Sequence, residues 1–102
     1  MATIIRGTTP TLQYNFNSVQ VSNITVAYMT IKQGDTIVVE KDLAAAVAGA
    51  KSLSWTLTQA ETLAIATGQA EAMINWKLND GTRGASSKNI VAINRNHIEE
   101  EI

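Results

Sequence analysis

Hydrophobic and polar residues alternate in short runs along this chain, and clusters of Gly, Pro, Asn, Asp and Ser separate the runs. A period of two marks an extended strand with one face toward a core. Residues 3–6 read as a first short strand, broken by Gly7-Thr8-Thr9-Pro10, where Pro10 lacks an N–H. Residues 11–16 place Leu12, Tyr14 and Phe16 on one face and Gln13 and Asn15 on the other. A loop over 17–23, with a tight turn at Val21-Ser22-Asn23, leads to a longer strand at 24–32. Here Ile24, Val26 and Tyr28 share one face while Ala27, Met29 and Ile31 share the other. A strand apolar on both faces must bury both or expose one.

The second half continues the pattern. Gln33-Gly34-Asp35 fits a hairpin turn into a strand at 36–40. Asp42 is placed to cap a short helical turn over 43–48 closed by Gly49, with a flexible loop as the alternative. Residues 51–57 alternate again, Leu53, Trp55 and Leu57 inward. Thr58-Gln59-Ala60-Glu61 is a capping box, so a helix of two turns or fewer should follow and end by Thr67-Gly68. Residues 69–78 form the next strand, with Ala72, Ile74, Trp76 and Leu78 inward and Glu71, Met73, Asn75 and Lys77 outward. Asp80-Gly81 favours a tight primed turn. A last strand is predicted over about 86–93, followed by a solvated, frayed tail at 94–102. All five aromatic residues fall inside predicted strands.

The predicted fold is therefore all-β: a two-sheet antiparallel sandwich, immunoglobulin-like, with about seven strands and one short helix, forming one domain over 1–93. Strand order is not readable from the pattern. Composition narrows the function classes. The chain has 102 residues, 45% hydrophobic and 17% charged, with a net charge of −1. It is too apolar for a disordered chain, and it lacks the basic face of a nucleic-acid binder. It has no Cys, which removes disulfides and thiolate chemistry together. The first ten residues do not read as a signal peptide, and no apolar run is long enough to span a membrane. Nucleic-acid and membrane partners are accordingly not expected.

No group of residues reads as a catalytic centre, and neither a cofactor nor a metal is expected. His97 is the only histidine and lies near the chain end beside acidic residues, without convergent partners. The carboxylates have local explanations in turns, caps and outward strand positions. No nucleophile elbow is present, and Asp80-Gly81-Thr82-Arg83-Gly84 matches no phosphate loop. Trp55 and Trp76 are in phase with aliphatic neighbours and read as core, with a sugar-stacking platform as the competing reading. The more informative feature is the second face of residues 24–32. Ala27, Met29 and Ile31, joined by Met73, are the candidate protein-interaction face; coverage by the helix or the other sheet is the alternative.

Three segments carry a resemblance. Ile5-Arg6-Gly7-Thr8-Thr9-Pro10-Thr11-Leu12 resembles an opening "RGTTPTL" signature, Leu57-Thr58-Gln59-Ala60-Glu61-Thr62-Leu63 an "LTQEETL" segment, and Asp80-Gly81 with Ala85-Ser86 a "DG…AS" hairpin. Together they resemble small structural proteins of phages and prophages of Gram-positive bacteria, including the amino-terminal β domain of upper baseplate proteins. The chain departs from that group in the Ala-rich 43–50 segment, and a long carboxyl-terminal receptor-contacting module is not expected of it. The resemblance implies a non-enzymatic role in a phage tail or baseplate, with synthesis in the bacterial cytoplasm. Its partners would be other phage structural proteins or further copies of itself. A small carbohydrate- or surface-binding module is the alternative.

Overall fold

A computed structural model describes residues 2–102. In chain order the elements are β1 (Ala2–Ile5), β2 (Thr11–Asn15), β3 (Ile24–Gln33), β4 (Thr36–Asp42), β5 (Val47–Ala48), β6 (Ser52–Thr56), α1 (Gln59–Leu63), β7 (Gly68–Leu78), β8 (Arg83–Ala85) and β9 (Asn89–Asn94). Short 3-10 turns stand at Val21–Asn23 and Leu43–Ala45. The strands form two sheets. The large one runs β1-β9-β7-β3-β4, with β8 also paired to β7; the small one runs β2-β6-β5. All pairings are antiparallel except β1 with β9, which is parallel. The fold is an all-β sandwich with one short helix.

The core lies between the inner faces of the sheets. Ala27, Met29, Ile31, Leu53, Trp55, Leu57 and Ile65 are wholly buried, with Ile4, Val91 and Ile93 nearly so. Full burial of a large aliphatic side chain contributes about 1.5–3 kcal/mol, so this layer supplies most of what holds the sheets together. Trp55 is the largest fully buried side chain, and its indole N–H donates to the Asp42 carbonyl at 2.9 Å. At the other side, Tyr14, Phe16 and Trp76 meet as an aromatic cluster, with Phe16 edge-on to Trp76 at 5.0 Å. Gly84 lies opposite Trp76 in the ladder, where a Cβ would stand 2.5 Å from the indole. The half-buried Trp76 ring thus occupies space that any other residue at 84 would claim.

Local signals explain the joints. Gly34, at φ +62°, and Asp35 form a two-residue turn between β3 and β4, as Gln33 pairs with Thr36. The Asp80-Gly81 turn differs from the primed turn expected of it. Only Gly81 has positive φ, at +90°, and the loop holds three residues between Leu78 and Thr82. Asp80 instead keeps ordinary dihedrals and accepts a hydrogen bond from the Thr82 N–H at 2.8 Å. This is the geometry of a type I turn closed by a glycine bulge.

The last predicted strand, 86–93, is present only from Asn89 as β9, and the pattern did not predict β8, which precedes it at Arg83–Ala85. Asn75 pairs with Ala85 while Ala72 pairs with Asn89, so the register slips by one residue between them. Ser86 holds the slip. It is buried; its N–H donates to the Ile74 carbonyl and its hydroxyl accepts from the Ile74 N–H. The Ala-rich stretch likewise holds more than one element: a 3-10 turn capped by Asp42, then the two-residue β5.

Residues 94–102, expected to fray, are mostly exposed yet tied down. Arg6 forms an ion pair with Glu99 at 2.8 Å, Asn96 donates to the Arg6 carbonyl, and Gln59 exchanges two hydrogen bonds with the Ile102 main chain. These contacts close one end of the sandwich, together with α1.

Candidate protein-interaction site

The proposed face of Ala27, Met29, Ile31 and Met73 does not exist as a surface. Ala27, Met29 and Ile31 are 0% exposed and point into the core. Met73 is on the opposite side of the sheet: it pairs with Thr30, whereas Met29 pairs with Ile74. The reason is a bulge in β3. The pairing with β7 shifts between Ile24 and Val26, so Ile24 faces inward together with Ala27 rather than with Val26 and Tyr28. Val26 and Tyr28, in phase with each other, are left outside at 38% and 43% exposure.

The outer face of the large sheet carries five of the exposed large apolar residues; the others are Val47 on the small sheet and Ile98 and Ile102 in the carboxyl-terminal segment. Val26 and Tyr28 come from β3, Ile37 from β4, Ile90 from β9 and Ile5 from β1. They are set among Lys32, Glu40, Glu71 and Lys77. Val26 and Tyr28 also line a shallow depression with Asn75, Lys77 and Arg83. The outer face of the small sheet is of another kind. Thr11, Gln13 and Asn15 of β2 lie beside Thr56, Ser54 and Ser52 of β6, so that part of the face is polar without charge, with the exposed Val47 of β5 beyond Ser54. Its side chains bond among themselves, Thr11 with Thr56 and Gln13 with Asn15, both at 2.9 Å.

The tryptophans are both tied to the core. Trp55 is fully buried, which removes it as a sugar platform; Trp76 is wedged between Phe16, Tyr14 and Gly84. His97 is exposed, and among the described residues no three His, Asp or Glu side chains converge to hold a metal ion.

The carboxylates with shifted titration serve structure. Burial pulls the Glu61 carboxyl upward, but the Thr58 N–H and the Lys41 ammonium outweigh it and leave the group below the usual range. Glu61 accepts from the Thr58 N–H at 2.8 Å, and the Thr58 hydroxyl accepts from the Glu61 N–H at 3.1 Å, completing the capping box. Lys41 reaches Glu61 from β4 at 2.9 Å, so one carboxylate ties helix to sheet. Asp80 is lowered by the Thr82 N–H, and Glu99 by the Asn96 N–H despite some desolvation, with Arg6 and Arg95 assisting.

Sequence reasoning missed Thr62. It is wholly buried, and its hydroxyl accepts from the Gly7 N–H at 3.0 Å and donates to the Thr8 carbonyl at 2.8 Å. It fastens α1 to the turn after β1, where Gly7 holds a φ of +82°. Comparison with known protein families, with curated proteins and with solved structures gives no match.

Proposed function

We propose that this protein is a non-enzymatic structural component of a phage or prophage particle, built into the tail or baseplate region by contacts with other phage structural proteins or with its own copies. The observation that carries the reading is the outer face of the large sheet. Five large apolar residues stand exposed there, and no element among the described residues covers them. Interfaces between folded proteins are about as apolar as the rest of a surface, with aromatic anchors at their centre. Tyr28, ringed by Val26, Asn75 and Arg83, suits that description. The three segments resembling small phage structural proteins supply the class of particle.

The finer fold assignment belongs to the same proposal. The order β1-β9-β7-β3-β4 facing β2-β6-β5, with the first strand parallel to the last, supports the reading of an immunoglobulin-like sandwich of the variable type. Domains of this architecture meet partners through exposed sheet faces and edges, although architecture alone assigns no partner.

The test is incorporation into particles. Tyr28→Lys replaces the exposed aromatic by a solvated cation opposite Asp42, so the unfolding free energy should move by no more than about 0.5 kcal/mol. Quantitative mass spectrometry of purified particles should find the wild-type protein and several-fold less of the variant. Normal incorporation of Tyr28→Lys would remove this face as the interface. Absence of the wild-type protein from the particles would overturn the virion role.

A further inference from the structure

The edges of the two sheets are not equally protected. β4 carries Glu40, Lys41 and Asp42, and its pairing with β3 shifts at Ile31/Lys32. β5 has only two residues. Charges, bulges and shortness are the usual means of keeping a sheet edge from pairing with another chain. β2 has none of them. It reads Thr-Leu-Gln-Tyr-Asn, inside a stretch from Gly7 to Ile31 that contains no charged residue.

The pairing fixes which groups of β2 are open. The Leu57 N–H donates to the Pro10 carbonyl and the Phe16 N–H to the Lys51 carbonyl. In an antiparallel ladder bonding alternates, so residues 10, 12, 14 and 16 turn their main chain toward β6. Thr11, Gln13 and Asn15 turn theirs to the other side, where no strand stands among the described residues. A cleft of about 640 Å³ lies along that side. Leu12 and Tyr14 form one wall, Ala72 and Ile74 the floor, and Lys88 to Val91 the far wall.

The layering restricts what can enter. β6 lies against β4, since Trp55 bonds the Asp42 carbonyl and Lys41 bonds the Thr56 carbonyl. β2 lies against β7, through Tyr14, Phe16 and Trp76. The large sheet therefore continues past β2 by β9 and β1 as a shelf, and since its Ile4, Val91 and Ile93 side chains are already buried, the open part lies over the end marked by Ala2 and residues 88–90. A second whole domain brought edge to edge with β2 would meet that shelf. A single extended segment lies on it.

We infer that the open edge of β2 takes up one extended segment of a neighbouring virion protein, which joins the small sheet as an added strand above β9. The inference rests on the assembly role proposed above and names how one of its contacts is made. Three open residues with outward N–H and C=O groups match a partner strand of about five residues. Side chains directed at Ala72, Ile74 and Val91 must be apolar, and those on the other face neutral and polar, continuing the face of Thr11, Gln13 and Asn15. Among the described residues Lys88 is the one charged residue along the cleft, so the segment carries no cation beside it and tolerates a carboxylate.

The experiment uses the purified full chain and a probe peptide of seven residues, alternating valine and threonine and ending in a free carboxylate. Amide hydrogen exchange at Thr11, Gln13 and Asn15 should slow by about tenfold or more on peptide addition, while the amides of Leu12 and Tyr14, already bonded to β6, change little. Gln13→Pro removes an outward N–H without touching the β6 ladder, as proline is tolerated on the free side of an edge strand. It should fold and lose the peptide effect. Unchanged exchange at all three amides at millimolar peptide overturns the inference, and this measurement on the wild-type chain decides even if Gln13→Pro does not fold. In purified particles the same three amides should be protected. A protein present in particles with these amides exchanging as in the free chain would overturn the strand addition while leaving the assembly role intact.

Discussion

Met29 is the residue whose position decides between two descriptions of this surface. Its thioether lies in the core with no exposed area, between Ala27 and Ile31 on the same strand. Met29→Lys should therefore leave no folded protein, because an unpaired buried ammonium costs several kcal/mol and a domain of this size has roughly 5–15 to lose. Loss of the cooperative thermal transition would check it; a folded Met29→Lys protein would contradict the burial. Gly84 makes the complementary point. Gly84→Ala places a methyl 2.5 Å from the Trp76 ring, so the aromatic cluster must shift, at about 1–3 kcal/mol. A lowered denaturation midpoint with altered tryptophan fluorescence would register it. Neither residue's role was legible in full. The inward phase of Trp76 was readable from period two, but its need for a glycine opposite depends on a pairing across eight residues of hairpin. For Met29, both faces of its strand were apolar, and a bulge that sequence does not mark decided which was core. Thr62 was invisible for a simpler reason: a threonine in a helix reads as polar surface until Gly7 and Thr8 are brought to it.

At the scale of elements, α1 shows the strongest agreement between local sequence and structure. Five residues are too few for a helix to stand by propensity, so its ends must be fixed by other groups. Thr58 and Glu61 do this reciprocally, and Lys41 adds an ion pair from β4. The Glu61 carboxyl titrates below its ordinary value, so it binds its proton less readily in the folded chain than in the unfolded one. Its contribution is present above the ordinary glutamate range and is lost as pH falls through the lower folded value. Glu61→Gln should lower the unfolding midpoint at pH 7 and narrow the difference between the midpoints at pH 7 and pH 3. Melting curves of both proteins at the two pH values would show it; an unchanged difference would place acid sensitivity elsewhere, with Glu99 the next group to test. Capping boxes and glycine turns are local, and the chain displays them openly. The separation of β8 from β9 at Ser86 is not local, because it depends on what Ile74 requires across the ladder.

For the whole molecule, the sandwich class was readable and its wiring was not. Alternation, turn residues and the placing of the aromatics in strands, which holds for all but Phe16 just beyond β2, sufficed for two sheets with a core between them. The order β1-β9-β7-β3-β4 joins strands from the two ends of the chain, and nothing within either strand announces its neighbour. That wiring has a mechanical consequence. Because β1 runs parallel to β9, Ala2 sits beside Val91 at one end of the pair and Ile5 beside Asn94 at the other. A pull applied at Ala2 and at the carboxyl-terminal segment drags the two strands past each other lengthwise. Their hydrogen bonds are then loaded together rather than opened one at a time, and rupture requires the whole ladder to give way. Held between two points along such a line, the domain would yield late and abruptly, transmitting tension instead of stretching with it.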